Sequence, residues 1–556
     1  DAGMLLLREL ATDSQVAEEL LENVTLLFIP IFNVDGHQRF GPYHRINQNG
    51  PDEMGWRVSA TNQNLNRDFL KADTVEMRHW LKLFQQWMPD FMIDIHSTDG
   101  ADYQYVITYG LETHGNMDND LSRWTAVFGG SMNERMTNSG YPMAPYVSFK
   151  DWHDPRSGLT TWVAGPRFSQ GYTALQNRPG LLIETHMLKD YPTRVDAAYR
   201  LVRETLAYLN KEAGELRRLV QYADQKTADP EFRKEPFTLS LKLTENHRPF
   251  EYLGVAYEKI TSEITGGDWF RFSDQPETMT IDLYDELVPD LKAELPAAYL
   301  IPPQWQVIID RLEMHGVQFS RLAVATEVEV RSWRLREAKW RENPYEGHHP
   351  VSFEMDPLFE IRTFPAGTAV VDMNQRAARV VAHLLQPQGP DSMVRWGYLD
   401  SIFERVEYVE SYVIEDMIRE MVAKEPGLLQ ELAEKKVADP EFAADPWAIR
   451  YWFYEKTPYF DQKVGIYPVG LIDSPEMVGQ LKTKTAMKSL KRHKSLNKRA
   501  CFEFFIAISV RVMIQSLIRW GFLPGAVPGF GRLGHWMRFE IPCNFLKDTD
   551  PIKPAP

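Results

Sequence analysis

The chain has 556 residues, 44% of them hydrophobic, which excludes a disordered protein and is too long for one ordinary domain; two to four domains are expected. A formal net charge of -15 argues against a nucleic-acid-binding body, because phosphate contacts need clustered Lys and Arg and the positive excess here is confined to one late segment. The two cysteines, Cys501 and Cys543, both come late, so no disulfide framework and no cysteine-type zinc site can be drawn over the rest of the chain.

The sequence starts at Asp1 with neither a basic n-region nor an apolar h-region. 2-AGMLLLREL-10 and 15-QVAEELLEN-23 carry apolar residues at helical spacing, while 24-VTLLFIPIFN-33, 91-FMIDI-95 and 181-LLIET-185 are short apolar runs that suit buried strands. Alternation of this kind predicts an α/β domain. Its chemistry belongs at the carboxyl ends of strands, where Asn33, His96 and Glu184 fall. The stretch 193–224 reads as a long amphipathic helix, and Asp229 with Pro230 reads as the cap and first position of another, so a boundary is placed near 225.

Beyond it, 237–243, 252–260, 278–284 and 323–333 alternate as strands do, whereas 404–424 and 427–437 have helical periodicity; 225–478 is therefore expected to be a mixed α+β accessory region. The words 228-ADPEF-232 and 438-ADPEF-442 have unrelated flanks and read as two separate helix starts. Residues 479–556 form a tail of different character. It opens with 482-KTKTAMKSLKRHKSLNKR-499, which contains no acid, and continues with an apolar stretch interrupted by Glu503, Arg511 and Arg519. Those charges make a membrane span an unfavourable reading.

Four stretches taken together, 33-NVDGHQRF-40, 56-WRVSATNQNLNRDF-69, 91-FMIDIHSTDG-100 and 180-GLLIETHMLKDY-191, resemble in order and spacing the catalytic domain of the zinc carboxypeptidases, the carboxypeptidase A-like family. The resemblance covers roughly residues 1–210 and is to bacterial members with a C-terminal accessory region. Val34 stands where the family usually has Pro. The implied fold for 1–224 is a mixed central sheet flanked by helices. The implied activity is hydrolysis of C-terminal peptide bonds, with zinc as cofactor and a peptide bearing a free carboxylate as substrate.

Residue by residue, the resemblance makes His96 a zinc ligand offered from a rigid strand end and Glu184 the general base. Arg67 and Asn66 would grip the terminal carboxylate, a task suited to the planar, two-pronged guanidinium. Arg57 would stabilise the oxyanion, with Arg45 also in range. Tyr172 is the candidate for the family's mobile tyrosine, although Phe168 stands nearer the expected distance. His153 and Arg167 are candidates for shaping the specificity pocket. Read without the companion motifs, His96 would be a core histidine, Glu184 a strand-end carboxylate paired with Arg178, and Arg67 a surface ion-pair partner.

A zinc of this type needs three protein ligands, and the family takes the other two from His-x-x-Glu upstream of the third. No histidine here is followed by Glu three residues on. The reverse order, 346-EGHH-349, reads as a solvated polar loop. The expectation is that the missing ligands lie before Asp1, that the chain is a fragment of an exported protein, and that this fragment binds zinc weakly or not at all and has little peptidase activity. A carboxylate- or peptide-binding protein without metal, and a zinc-dependent deacylase of N-acyl amino acids, are the alternatives. Serine hydrolysis is disfavoured by the lack of G-x-S-x-G.

Overall fold

Two helices open the chain, α1 (Ala2–Thr12) and α2 (Ser14–Leu21), separated by Asp13, whose side chain accepts hydrogen bonds from the Gln15 and Val16 amides and caps the second. The structure, a computed structural model, describes residues 1–486. The apolar stretch after 502, both cysteines and most of the basic segment lie outside the described residues.

The run 24–33 departs from the strand expected of it. It is assigned to no strand, and Leu27, Ile29 and Ile31 are partly exposed. Pro30 has no amide hydrogen to give a ladder, and no described strand pairs with this run. Asn33 accordingly closes no strand; it caps the short helix α3 (Val34–Gln38), accepting from the Gly36 amide.

After α4 (Val75–Trp87) come β1 (Met92–Thr98), β2 (Ile107–Leu111), α5 (Asn119–Asn138), β3 (Met143–Pro145), β4 (Ser148–Phe149), β5 (Leu159–Thr160), α6 (Ser169–Leu175) and β6 (Gly180–His186). The central sheet runs β1-β6-β2-β3 and is mixed: β6 is parallel to β1 and antiparallel to β2, which is parallel to β3. Every residue of β6 is buried, which explains its unbroken apolar run. The helix α7 (Tyr191–Ala228) follows, with Asp190 as cap; its 38 residues extend for about 57 Å. Leu6, Leu20, Phe128 and Leu201 from α1, α2, α5 and α7 share one hydrophobic core with Ile107 and Ile183 of the sheet. This is the mixed sheet flanked by helices that the sequence implies.

The remainder is richer in strands: β7 (Phe237–Leu243), β8 (Arg248–Thr261), β9 (Asp268–Tyr284), β10 (Leu287–Ala293), β11 (Ala298–Ile301), α8 (Gln306–Met314), β12 (Ser320–Leu322), β13 (Thr326–Trp340), β14 (Val351–Phe364), β15 (Ala369–Asp372) and α9 (Ala378–Leu385). Then come α10 (Ser411–Lys424), α11 (Gly427–Ala438), α12 (Pro440–Ala444), α13 (Pro446–Tyr454), β16 (Gly470–Ile472), α14 (Pro475–Thr483) and β17 (Thr485–Ala486). A seven-stranded antiparallel sheet, ordered β14-β13-β16-β11-β15-β12-β17, forms its centre. The two repeated words are independent helix starts, with Asp229 and Asp439 each capping through a side-chain oxygen.

A second core joins the two regions: Phe69, Trp80, Phe84 and Tyr172 pack with Tyr299, Ile308, Leu312 and Leu384. β5 also adds to the β8–β9 hairpin in parallel register. Among the described residues no helix is long and apolar enough to cross a membrane.

Candidate functional site

Parallel pairing of β1 with β6 sets His96 opposite Glu184 at the carboxyl ends of both strands. Strand alternation puts Asp94 on the same face as His96, and its carboxylate lies 2.7 Å from His96 Nε2. Burial works against a charged imidazole, but the adjacent Asp94 carboxylate outweighs it and raises His96 to about 9; burial also works against the Asp94 carboxylate, which His96 and Ser169 nevertheless hold below its ordinary range.

Glu184 is 7% exposed, and burial pushes its carboxyl up to about 7. Its Oε2 is buried without a hydrogen-bond partner. Arg178, the alternative partner, is instead engaged with Asp224, 3.0 Å away. A carboxyl held near neutrality and left with a free oxygen is poised to exchange a proton.

The Asn33-Val34-Asp35-Gly36 turn organises the arginines. Asn33 Nδ2 donates to the carbonyls of Trp56 and Arg57, Asp35 accepts from the Ala60 amide, and the Gly36 carbonyl accepts from Trp56 N at 2.7 Å. A Cβ on Gly36 would sit 2.3 Å from the Trp56 carbonyl, so only glycine allows this approach. The turn thereby fixes the backbone of Arg57, whose charge acts on both His96 and Glu184. Arg45, with a left-handed backbone at φ 54°, also acts on Glu184.

Asn66 and Arg67 lie in a single 3-10 turn, Leu65–Arg67, capped by Asn64, whose Oδ1 accepts from the Asn66 amide at 3.0 Å. Arg67 Nη1 donates to Asn66 O at 2.7 Å and its guanidinium lies over the Phe168 ring, 4.5 Å from the centroid. Asn66 Oδ1 is buried and unpartnered. Arg167 is tied to Asp391 Oδ1 at 2.8 Å.

Tyr172 is not brought to this site. It is fully buried in the core shared by both regions, where its hydroxyl meets His315 Nδ1 and accepts from Gln176 Nε2, both at 2.8 Å. Packing against Phe69, Trp80 and Phe84 holds the ring in that core, which corrects the expectation of a mobile tyrosine at the site. Tyr146 is the tyrosine that feels Glu184, Asp99 and Arg67; it lies 3.4 Å from Thr98 Oγ1 and packs on Trp162. Tyr146 lies well upstream of the spacing that points to Tyr172 and Phe168, so spacing alone does not reveal it, whereas the position of Asp94 two before His96 is a strand-face signal.

The residues present do not fit a zinc ion by themselves. Among the described residues no group of three or more His, Cys, Asp or Glu side chains could hold one, and the single candidate ligand, His96, has its Nε2 against Asp94. Likewise 346-EGHH-349 is no metal site, and Glu346 and His348 are engaged in protein contacts instead of being solvated.

Residues 1–174 match the family model described as zinc carboxypeptidase. Carboxypeptidase 2 of Trichophyton rubrum is 24% identical over 417 residues, covering 72% of this chain and 71% of that protein. Carboxypeptidase 2 of Trichophyton equinum is 24% identical over 413 residues, covering 72% and 71%. Probable carboxypeptidase 2 of Trichophyton verrucosum (strain HKI 0517) is 25% identical over 396 residues, covering 68% and 70%. These relatives are fungal, whereas the resemblance in the sequence was to bacterial members. Alignments of this length reach past residue 174 into the strand-rich second region. No solved structure matches the chain.

Proposed function

We propose, from the match of residues 1–174 to the zinc carboxypeptidase family model, that this chain is a hydrolase acting on the C-terminal bond of peptides, with residues 1–224 as its catalytic part and 225–478 as an accessory region. The observation that carries the reading is the pairing of His96 with Glu184 at the ends of β1 and β6, with the charge of Arg57 acting on both and with Glu184 and Arg67 both acting on Tyr146.

In this reading Glu184 takes a proton from the attacking water and returns it to the leaving amine. Its buried, unpartnered Oε2 and raised affinity for a proton suit that exchange. Arg57 meets the charge that develops on the carbonyl oxygen. Arg67, held over Phe168, and Asn66 bind the substrate's free carboxylate, which directs hydrolysis to a chain end. His96 is proposed as one ligand of the family's zinc.

A second reading, a carboxylate-binding protein that works without metal, draws on the engagement of His96 Nε2 by Asp94. Metal analysis and an assay for amino acids released from peptide C-termini separate the two. They should be run on residues 1–556 and, where the reading frame continues upstream of Asp1, on the chain so extended. Zinc-dependent release by the longer chain supports hydrolysis. A longer chain without zinc that still binds free-acid peptides supports the second reading. Equal zinc-dependent activity in both would overturn the assignment of ligands.

A further inference from the structure

The motif 346-EGHH-349 has no part in the proposed chemistry, yet its conformation is distinctive. In the connection between β13 and β14, the Tyr345 amide donates to His348 O and the His348 amide to Tyr345 O, closing a two-residue turn. Both central residues are left-handed, Glu346 at φ 51° and Gly347 at φ 85°, as a tight hairpin turn requires. Glutamate is an uncommon choice there, since its Cβ crowds the backbone. Asn-Gly or Gly-Gly would build the same turn at less strain.

Glu346 makes contacts that those residues could not make together. Its Oε2 accepts from the Asn64 amide at 2.8 Å and its carbonyl accepts from Gln63 Nε2 at 3.1 Å. Gln63 packs so close to the turn that a Cβ on Gly347 would lie 2.7 Å from Nε2. From Asn64 the hydrogen bonds continue inward: Asn64 Oδ1 accepts from Asn66 N, and Asn66 O accepts from Arg67 Nη1. On the other side of Arg67 the second region holds the same segment again. Arg311 Nε donates to Lys71 O, His315 Nε2 meets Leu70 O, and His348 Nε2 and Arg311 Nη2 both reach the Asp73 carboxylate.

We infer that Glu346 is a positioning residue for the substrate's terminal carboxylate: it fixes, through Asn64, the turn that presents Asn66 and Arg67. The strand-rich second region is thereby a working part of C-terminal recognition. This rests on the reading of Arg67 as the carboxylate grip. A charge-assisted hydrogen bond on a loop end restrains where the guanidinium three residues on can point, so loss of the bond weakens binding of a free carboxylate and leaves other contacts with the peptide in place.

The test uses residues 1–556 and two peptides of one sequence, one with a free terminal carboxylate and one amidated, titrated by calorimetry. Glu346→Gly suits the left-handed backbone and removes only the side chain, whereas Glu346→Gln keeps an acceptor oxygen. The expected result is that Glu346→Gly lowers affinity for the free acid by about tenfold, leaves the amide unchanged and does not lower the melting temperature, and that Glu346→Gln restores the preference for the acid. Arg67→Ala should abolish that preference. If Arg67→Ala abolishes it and Glu346→Gly leaves it intact, or weakens both peptides alike, the inference is overturned and the role of Arg67 stands. If the parent chain shows no preference, or Arg67→Ala preserves it, the role of Arg67 is overturned and the inference with it.

Discussion

His96 and Glu184 are register partners on adjacent parallel strands; His96 pairs with the Asp94 carboxylate, and Glu184 is buried with one oxygen unpartnered, an environment that a purely structural carboxyl would avoid. Burying a carboxyl without a full set of partners costs stability, and proteins keep such groups where function needs them.

Glu184→Gln should therefore move stability and activity in opposite directions. A neutral amide in place of the buried carboxyl is expected to raise stability by about 1–3 kcal/mol. In any form of the protein that hydrolyses peptides, loss of the base should cut the rate by about 10²–10⁴ while peptide affinity holds. Thermal melting, initial rates and a binding titration check the three parts. A variant that loses stability as well as activity would make Glu184 a structural residue.

Arg67→Lys tests geometry apart from charge. The guanidinium is planar and lies over Phe168, an arrangement suited to two parallel hydrogen bonds with a carboxylate; an ammonium keeps the charge without the fork. Affinity for free-acid peptides should drop by roughly one order of magnitude, with amidated peptides unaffected. Equal affinity for both peptides in parent and variant would leave Arg67 without this role.

The parts of this site that were legible in the sequence are those written in local periodicity. His96 and Glu184 end short apolar runs, and the backbone pairing then brings residues 88 positions apart into register without further instruction. What failed was everything that depends on tertiary partners. Residues 24–33 have a strand's composition, but Pro30 and the lack of a pairing strand among the described residues leave them outside any ladder. Tyr172 sits at a plausible spacing, but α6 turns it into a core completed by residues more than 100 positions later. The 346-EGHH-349 turn reads as solvent-exposed because its partners, Asn64 and Asp73, lie in another part of the sequence.

Tyr172→Phe follows from that placement. Removing the hydroxyl leaves His315 Nδ1 and Gln176 Nε2 buried without a partner, which costs about 1–3 kcal/mol in stability. Preference for free-acid peptides should not change, because the ring stays in the core. Melting curves and the paired-peptide titration measure both effects; a stable variant with altered peptide preference would return Tyr172 to the site.

Glu112, just after β2, gives a pH signature separate from the site. It is 2% exposed; one oxygen accepts from the His114 amide at 3.0 Å and the other is buried without a partner. Burial pushes its carboxyl from an ordinary 4.5 up to about 7. The folded protein therefore holds this proton more tightly than the unfolded chain does. Stability from Glu112 is complete below pH 4.5, falls as pH rises through that window, and is fully lost above about 7. The loss is on the order of 3 kcal/mol, from roughly 1.4 kcal/mol for each pH unit. Glu112→Gln carries no such proton, so its melting temperature should draw ahead of the parent's as pH rises across the window and keep a constant lead beyond it. Melts of both proteins at closely spaced pH values read this directly, and a lead that does not vary with pH would show that the Glu112 carboxyl titrates normally.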